Sequence, residues 1–290
     1  MLIREARIDL HCHTRISDNS LGIREVIELA SRQGVTHLAI TDHDTTKGLM
    51  EAMRIGGELG VEIIPGIEIS GYDYERGKRA HFLGLYVEPG HSALDAICGP
   101  MIEQRHNASY RMVHQLIEAG YRITWKRVEE IAAGGSGVYK QHIMQALIEK
   151  DYCNEFYGDL YKKLFARAGK GKVAGLAYVP LNYINASDAI NAIHSAGGIA
   201  VLAHPGQFNN YAAIPEWADK GLDGIEAWHP LHNELDVIKA KELADEFGLL
   251  LTGGSDFHGE YGDPIHVPGY IHIEASYLDA IIKCKFEKLA

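Results

Sequence analysis

The sequence predicts an α/β fold, a closed barrel of parallel strands with its site at the carboxyl ends of the strands. Three observations predict it. Strand-like and helix-like segments alternate over residues 7–87 and again after residue 179. Nine histidines and carboxylates stand in motifs that mostly follow apolar runs. The stretch between the two flanks reads as helical and net basic: residues 99–179 carry 12 of the 28 basic side chains and only 8 of the 39 acidic ones.

In chain order, strand 7–10 leads to helix 21–33, and strand 36–41 to helix 46–59, which Gly60 stops. Strands 61–70 and 81–87 follow. Residues 108–119, 124–133, 142–150 and 155–168 have helical spacing with no strand between them. We therefore expect a barrel from residues 1–98 and 180–290, interrupted by a helical insertion at 99–179. The excess of cations there reads either as a solvated face or as a cap over an anionic substrate. Beyond the insertion, helix 187–196 takes Ser187 as its N-cap. Strand 199–203, helix 212–220, strand 224–228, helix 234–247 and strand 249–252 come next. Strand 270–273 and a terminal helix from residue 277 complete the chain. Gly134-Gly135-Ser136-Gly137 reads as a hinge or anion-contacting loop, and Thr252-Gly253-Gly254-Ser255 as a tight strand-end turn. Neither matches a nucleotide-phosphate motif.

Composition narrows the function. The chain has 290 residues and a formal net charge of -11, which argues against duplex DNA as a bulk electrostatic partner. No apolar run is long enough to span a bilayer, so no membrane partner is expected. Met1-Leu2-Ile3-Arg4-Glu5-Ala6-Arg7 has no apolar signal core, and Cys12, Cys98, Cys153 and Cys284 are scattered. Both read as a cytoplasmic protein with reduced thiols.

The chemistry starts at Asp9-Leu10-His11-Cys12-His13. On a strand His11 and His13 share one face, and Leu10 and Cys12 the other. That suits one ion held by two imidazoles, with Cys12 in the core. Asp18, His43, Glu68, His81, His204, Asp256 and His258 bring the set to nine, too many for one ion. Imidazole and carboxylate without thiolate suit zinc, manganese or iron. Asp42 and Asp44, flanking His43, read as partners that orient imidazoles or as an ordinary loop. His229 and His232 follow another strand end. Tyr110, Trp125 and Tyr139 are core aromatics or base-stacking residues, and His37, His106 and His114 lie apart from the ligand motifs.

The motifs Asp9-Leu10-His11-Cys12-His13, Ile40-Thr41-Asp42-His43-Asp44-Thr45, Gly66-Ile67-Glu68-Ile69-Ser70, His81-Phe82-Leu83-Gly84, Ala203-His204-Pro205-Gly206 and Gly254-Ser255-Asp256-Phe257-His258-Gly259 occur in that order. The sequence in this respect resembles the PHP (polymerase and histidinol phosphatase) family. The resemblance implies a distorted (β/α)7 barrel and a trinuclear centre of divalent ions, Mn2+, Fe2+ or Zn2+, that hydrolyses phosphoesters. It implies one ion at His11, His13, Glu68 and Asp256, a second at Asp18, His43 and His258, and a third at Glu68, His81 and His204. Glu68 would then bridge two ions, and Glu68 with Asp256 would hold a metal-bridging hydroxide as nucleophile. His229 is the expected acid.

The resemblance implies a substrate of one of two branches, the first of them expected here and the second its alternative. One comprises nucleoside 3′,5′-bisphosphate 3′-phosphatases that also trim RNA ends. Its members carry Arg-X-His where this chain has Lys140-Gln141-His142, and Arg where it has Gln207. The other opens cyclic phosphates of phosphorylated sugars and then removes the phosphate. In either case the expected partner is a small phosphorylated substrate, contacted by Lys140, His142, Gln207 and His229 of a monomer. A non-catalytic metal-binding module is the alternative of another class. It would have lost ligands, whereas all nine are present. An amidohydrolase would usually add a strand-end lysine, and none stands among these positions.

Overall fold

A computed structural model describes residues 6–169, 171 and 173–289. Residues 1–5, on which the reading of the N-terminus rests, lie outside them. The element order is β1 (Ile8–Asp9), α1 (Ile23–Arg32), β2 (His37–Ile40), α2 (Leu49–Leu59), β3 (Glu62–Asp73) and β4 (Lys78–Leu85). Then come α3 (Ser92–Glu118), α4 (Trp125–Ile131), α5 (Lys140–Ile148), α6 (Asp159–Phe165), β5 (Ile184–Asn185), α7 (Ala186–Ser195) and β6 (Ile199–Leu202). The chain closes with α8 (Pro205–Phe208), α9 (Ile214–Asp219), β7 (Gly224–Trp228), α10 (Glu234–Phe247), β8 (Leu250–Gly253) and α11 (Ala275–Leu289).

The sheet runs β1-β2-β3-β4-β6-β7-β8, with two-residue β5 beside β3. Seven strands on one path make the expected distorted barrel. Its ends meet where the N–H of Leu10 donates to Gly253 (3.1 Å) and that of Asp256 to His11 (2.8 Å). The sheet is not wholly parallel: β4 is antiparallel to both β3 and β6. The link from β3 to β4 is too short for a crossover, so it folds back as a hairpin, with Asp73 accepting from the N–H of Arg76.

Two apolar clusters serve the barrel. One joins Leu10, Ala39, Ile64, Leu83 and Val201 to Leu278 and Ile281 of α11. The larger packs α1, α2, α7 and α10 against the strands, through Ile27, Ile55, Ile193 and Ala240 among others. A separate cluster, with Met112, Val128, Ile143, Leu147 and Leu164, holds α3 to α6 together. The 27-residue α3 passes through the expected boundary at 98/99. Its Leu94 and Cys98 lie in the barrel cluster, its Met112 and Leu116 in the helical one.

Two local expectations need correction. Residues 270–273 form no strand: β1 is already bonded to β2 and to the chain after β8, and Gly269 takes φ 79° to donate its N–H to Asp9. The N-cap of α7 is Asn185, whose Oδ1 accepts from the N–H of Ser187 at 2.9 Å. The loop at Gly134–Gly137 is tied to the barrel. Its carbonyls at Gly134 and Gly135 accept from Lys47 Nζ, and the N–H of Ser136 donates to Ile16.

Candidate metal centre

The centre lies where the strand ends converge. After β1, His11 and His13 turn to one side, while Cys12 is buried in the apolar cluster. Asp9 fixes that end, accepting from the N–H of His11 (3.3 Å), Ser255 (2.9 Å) and Gly269 (2.7 Å). Gly254 packs so tightly here that a Cβ would overlap the backbone nitrogen of His11. His204 and Asp256 take positive φ, 27° and 50°, a backbone strain that surrounding contacts must hold.

All nine expected ligands come together. His11 Nε2 and His13 Nε2 face each other at 3.2 Å. Glu68 Oε2 lies 3.4 Å from the first and 3.2 Å from the second, and Asp256 Oδ1 3.2 and 3.1 Å. A second group joins Asp18, His43 and His258 with His13. There His258 Nε2 is 3.4 Å from Asp18 Oδ1, and His43 Nε2 3.9 Å from Asp18 Oδ2. A third joins His43, Glu68 and His81, and His204 Nε2 reaches it at 2.9 Å from Glu68 Oε1. In each of the three groups the donor atoms lie within 4.8 Å of one another. His13 and His43 thus each face two groups rather than one, and Glu68 belongs to two.

These residues fit divalent ions. Two donors each about 2.1 Å from one ion stand about 3–3.4 Å apart at octahedral or tetrahedral angles, the spacing of most of these pairs. Asp18 Oδ1, Asp256 Oδ1 and His43 Nδ1 are buried without a hydrogen-bond partner. The field also favours a cation. Burial alone would lower His13, but Asp256 and Glu68 push it up to about 10. Burial would raise Glu68, yet His43, His81 and His11 hold its carboxyl well below the usual range.

Sequence reasoning missed Glu226. It is fully buried on β7, meets His11 Nδ1 at 3.0 Å through Oε1, and accepts from the N–H of His204 at 2.8 Å through Oε2. It turns His11 Nε2 toward the centre, the usual role of a carboxylate behind a ligating imidazole. Its signal was a carboxylate inside the apolar run Gly224–Trp228, as Asp9 is inside the first.

Asp42 and Asp44 do not orient imidazoles directly. Asp42 accepts from the N–H and Oγ–H of Thr14 (2.8 and 2.6 Å) and from the Oγ–H of Ser17 (2.6 Å), bracing the loop before Asp18. Asp44 accepts from the N–H of Ser70 (2.7 Å) and from Arg105 of α3 (2.8 Å).

The expected substrate contacts fall in different places. Lys140 lines a cavity of about 140 Å³ beside Asp18, His43 and His81. His142 does not line it. It is fully buried, its Nδ1 accepts from the N–H of Tyr139, and burial lowers it to about 4. Gln207 is exposed on α8, away from that cavity. His229 is buried; its Nδ1 accepts from the N–H of Leu231 (3.1 Å), which leaves Nε2–H to donate to Asp256 Oδ2 (3.2 Å). Gln141, not singled out from the sequence as a contact, donates to Asp18 Oδ2 at 2.9 Å. Tyr139, between base stacking and core, lines the cavity and donates its hydroxyl to the His43 carbonyl (3.2 Å). Tyr110 and Trp125 pack on each other at the surface of the helical segment.

Comparison with known proteins supports this chemistry. The family model described as PHP domain matches residues 9–198. A phosphoribosyl 1,2-cyclic phosphate 1,2-diphosphodiesterase of Eggerthella lenta is 43% identical over 259 residues, 89% of this chain and 97% of that protein. A 3′,5′-nucleoside bisphosphate phosphatase of Chromobacterium violaceum is 31% identical over 265 residues, 89% and 90% of the two chains. A solved structure from Bifidobacterium adolescentis, named for a candidate metal-dependent phosphoesterase, superposes with a TM-score of 0.85 at 28% identity and covers 96% of each chain.

Proposed function

Because the chain belongs to the PHP domain family and is a metal-dependent phosphoesterase, we propose that it opens the cyclic phosphate of a phosphorylated sugar and then releases inorganic phosphate. The choice of substrate rests on one observation: the cyclic phosphate diesterase of Eggerthella lenta is distinctly more similar to this chain than the nucleoside bisphosphatase is. Lys140 and Gln207, where the bisphosphatase branch has arginine, point the same way.

We further propose three ions of manganese, iron or zinc, held by the nine ligands in the groups described. Such ions supply Lewis acidity toward phosphoryl oxygens and bring the pKa of water near neutral. The chain's part is to hold and orient. Glu68, shared between two groups, sets the spacing of the centre. Glu226 aims His11, Gln141 steadies Asp18, and His229 fixes Asp256 as a positioning residue rather than as the acid first expected of it. In the first step a water oxygen bonds to phosphorus, one ring P–O bond breaks, and the departing sugar oxygen takes a proton. In the second, water displaces the remaining ester oxygen and inorganic phosphate leaves. All nine proposed ligands come from one chain, so the centre needs no residue of a second subunit to be complete. The four cysteines are unpaired, which supports a cytoplasmic location.

The test is an assay of manganese-loaded protein on 5-phosphoribosyl 1,2-cyclic phosphate, following ring opening by phosphorus NMR and phosphate release by colorimetry. Both steps are expected, in that order. Turnover of a nucleoside 3′,5′-bisphosphate with none of the cyclic sugar would overturn the substrate class and leave the phosphoesterase standing.

A further inference from the structure

β4 delivers two residues of one face to the mouth of the centre, Arg79 and the ligand His81. The cavity at the centre adjoins a second one of about 430 Å³. Arg79, Lys140, Leu181 and Tyr183 line both, so Arg79 and Lys140 stand at the junction.

The larger cavity is the reverse of the molecule in charge. The chain has 39 acidic and 28 basic side chains, yet the residues lining this cavity include Arg79, Lys140 and Arg167 and no carboxylate. Arg105, which lines the smaller one, is neutralised by Asp44 at 2.8 Å. Among the described residues, Arg79 and Lys140 have no ion-pair partner.

Aromatic rings hold these cations instead. The Arg79 guanidinium lies 5.3 Å from the Tyr183 ring centroid. Tyr183 stacks on Tyr72 at 6.0 Å and 11°, and the Arg167 guanidinium lies 5.5 Å beyond on the Tyr72 ring. Arg167 also donates to the Tyr72 hydroxyl at 3.0 Å. A guanidinium against an aromatic ring keeps its in-plane N–H donors free for an anion. Lys140 Nζ sits 5.4 Å from the Phe165 ring and 6.0 Å from Tyr161. Burial, then Arg79 and Arg105, lowers Lys140 to about 8. Two partly desolvated cations without a carboxylate between them are costly unless an anion joins them.

We propose that Arg79 and Lys140 bind the phosphate of the substrate that is not hydrolysed, with Arg79 supplying the bidentate fork. The Tyr183–Tyr72–Arg167 stack is the positioning element that keeps Arg79 turned to the junction. The assignment rests on the phosphosugar reading for its substrate, and it places the planar donor on β4 rather than at position 140 or 207. Lysine offers a point charge and would not replace that fork.

The test compares wild type, Arg79→Ala and Arg79→Lys as manganese-loaded proteins on two substrates that differ by one phosphate: 5-phosphoribosyl 1,2-cyclic phosphate and ribose 1,2-cyclic phosphate. The readout is the ratio of kcat/KM between them. Arg79→Ala should lower that ratio about 30-fold, chiefly through KM for the phosphorylated substrate, and Arg79→Lys should recover little of it. An equal loss on both substrates would show a structural role and overturn the proposal, as would an unchanged ratio. If wild type turns over neither sugar, the substrate reading fails, and calorimetric binding of adenosine 3′,5′-bisphosphate against adenosine 3′-monophosphate decides the clamp separately. A preference for the second phosphate that is absent in wild type, or that survives Arg79→Ala, would overturn it.

Discussion

Glu226 shows how a residue outside the ligand set can govern it. Its carboxylate fixes the tautomer and aim of His11 and also ties down the N–H of His204. Glu226→Gln should keep the fold and lower manganese affinity or activity about 10–100-fold, read by metal titration and turnover. Wild-type affinity in that variant would contradict the role. Lys140 makes a second, pH-dependent case. With its pKa lowered to about 8 by burial and then by Arg79 and Arg105, it is charged below that pH and neutral above it. KM for a substrate with a distal phosphate should therefore rise as pH passes through about 8, and Lys140→Met should lose that rise. A flat wild-type profile would count against the contact. The nine proposed ligands were legible because they stand in short motifs at strand ends. Glu226 was not, because one carboxylate in an apolar strand carries no spacing to read. Nor was the inward turn of His142, since a helix start at Lys140 does not reveal that its imidazole serves the N–H of Tyr139.

At the scale of elements, α3 ties the helical segment to the barrel. Arg105 reaches from it to Asp44 and to the Ser70 hydroxyl, both at 2.8 Å, beside the strand end that carries His43. Asp44 is buried, and its backbone φ is 58°. Arg105→Ala leaves that carboxylate without its cation and should cost about 3–5 kcal/mol in urea unfolding. A change near zero would mean that the pair does not hold α3 in place. Most elements were legible from periodicity and caps: 224–228 and 234–247 fall where the pattern put them. The first half of α3 was hidden because Gly99-Pro100 reads as a break. Proline inside a helix forfeits one hydrogen bond, and here the packing of Leu94, Cys98 and Met101 outweighs that loss. The antiparallel β4 was hidden because alternating apolar residues say nothing about strand direction; the lack of a helical segment between 70 and 81 was the readable sign.

Over the whole molecule, the ligands come from both ends of the chain. His11 and His13 follow the first strand, Asp256 and His258 the last, and these are the segments that close the barrel. Ions that bind them bind the folded state and not the open chain, so metal and fold are linked. Chelation should lower Tm by several degrees, reversed by manganese, and an unchanged Tm would mean that the ends are held by packing alone. The charge pattern was legible at this scale, an acidic chain with a basic middle. A cap over an anionic substrate was one reading of it; the part of Arg79 was not legible, since only folding brings Arg79 of β4 beside Lys140 of α5. We propose that the nine residues hold three ions, with Glu68 shared between two of the three sites. Elemental analysis of the protein saturated with manganese and freed of excess tests it most directly. About three equivalents per chain are expected, with fewer in Glu68→Gln. A ceiling of one equivalent in wild type would contradict it.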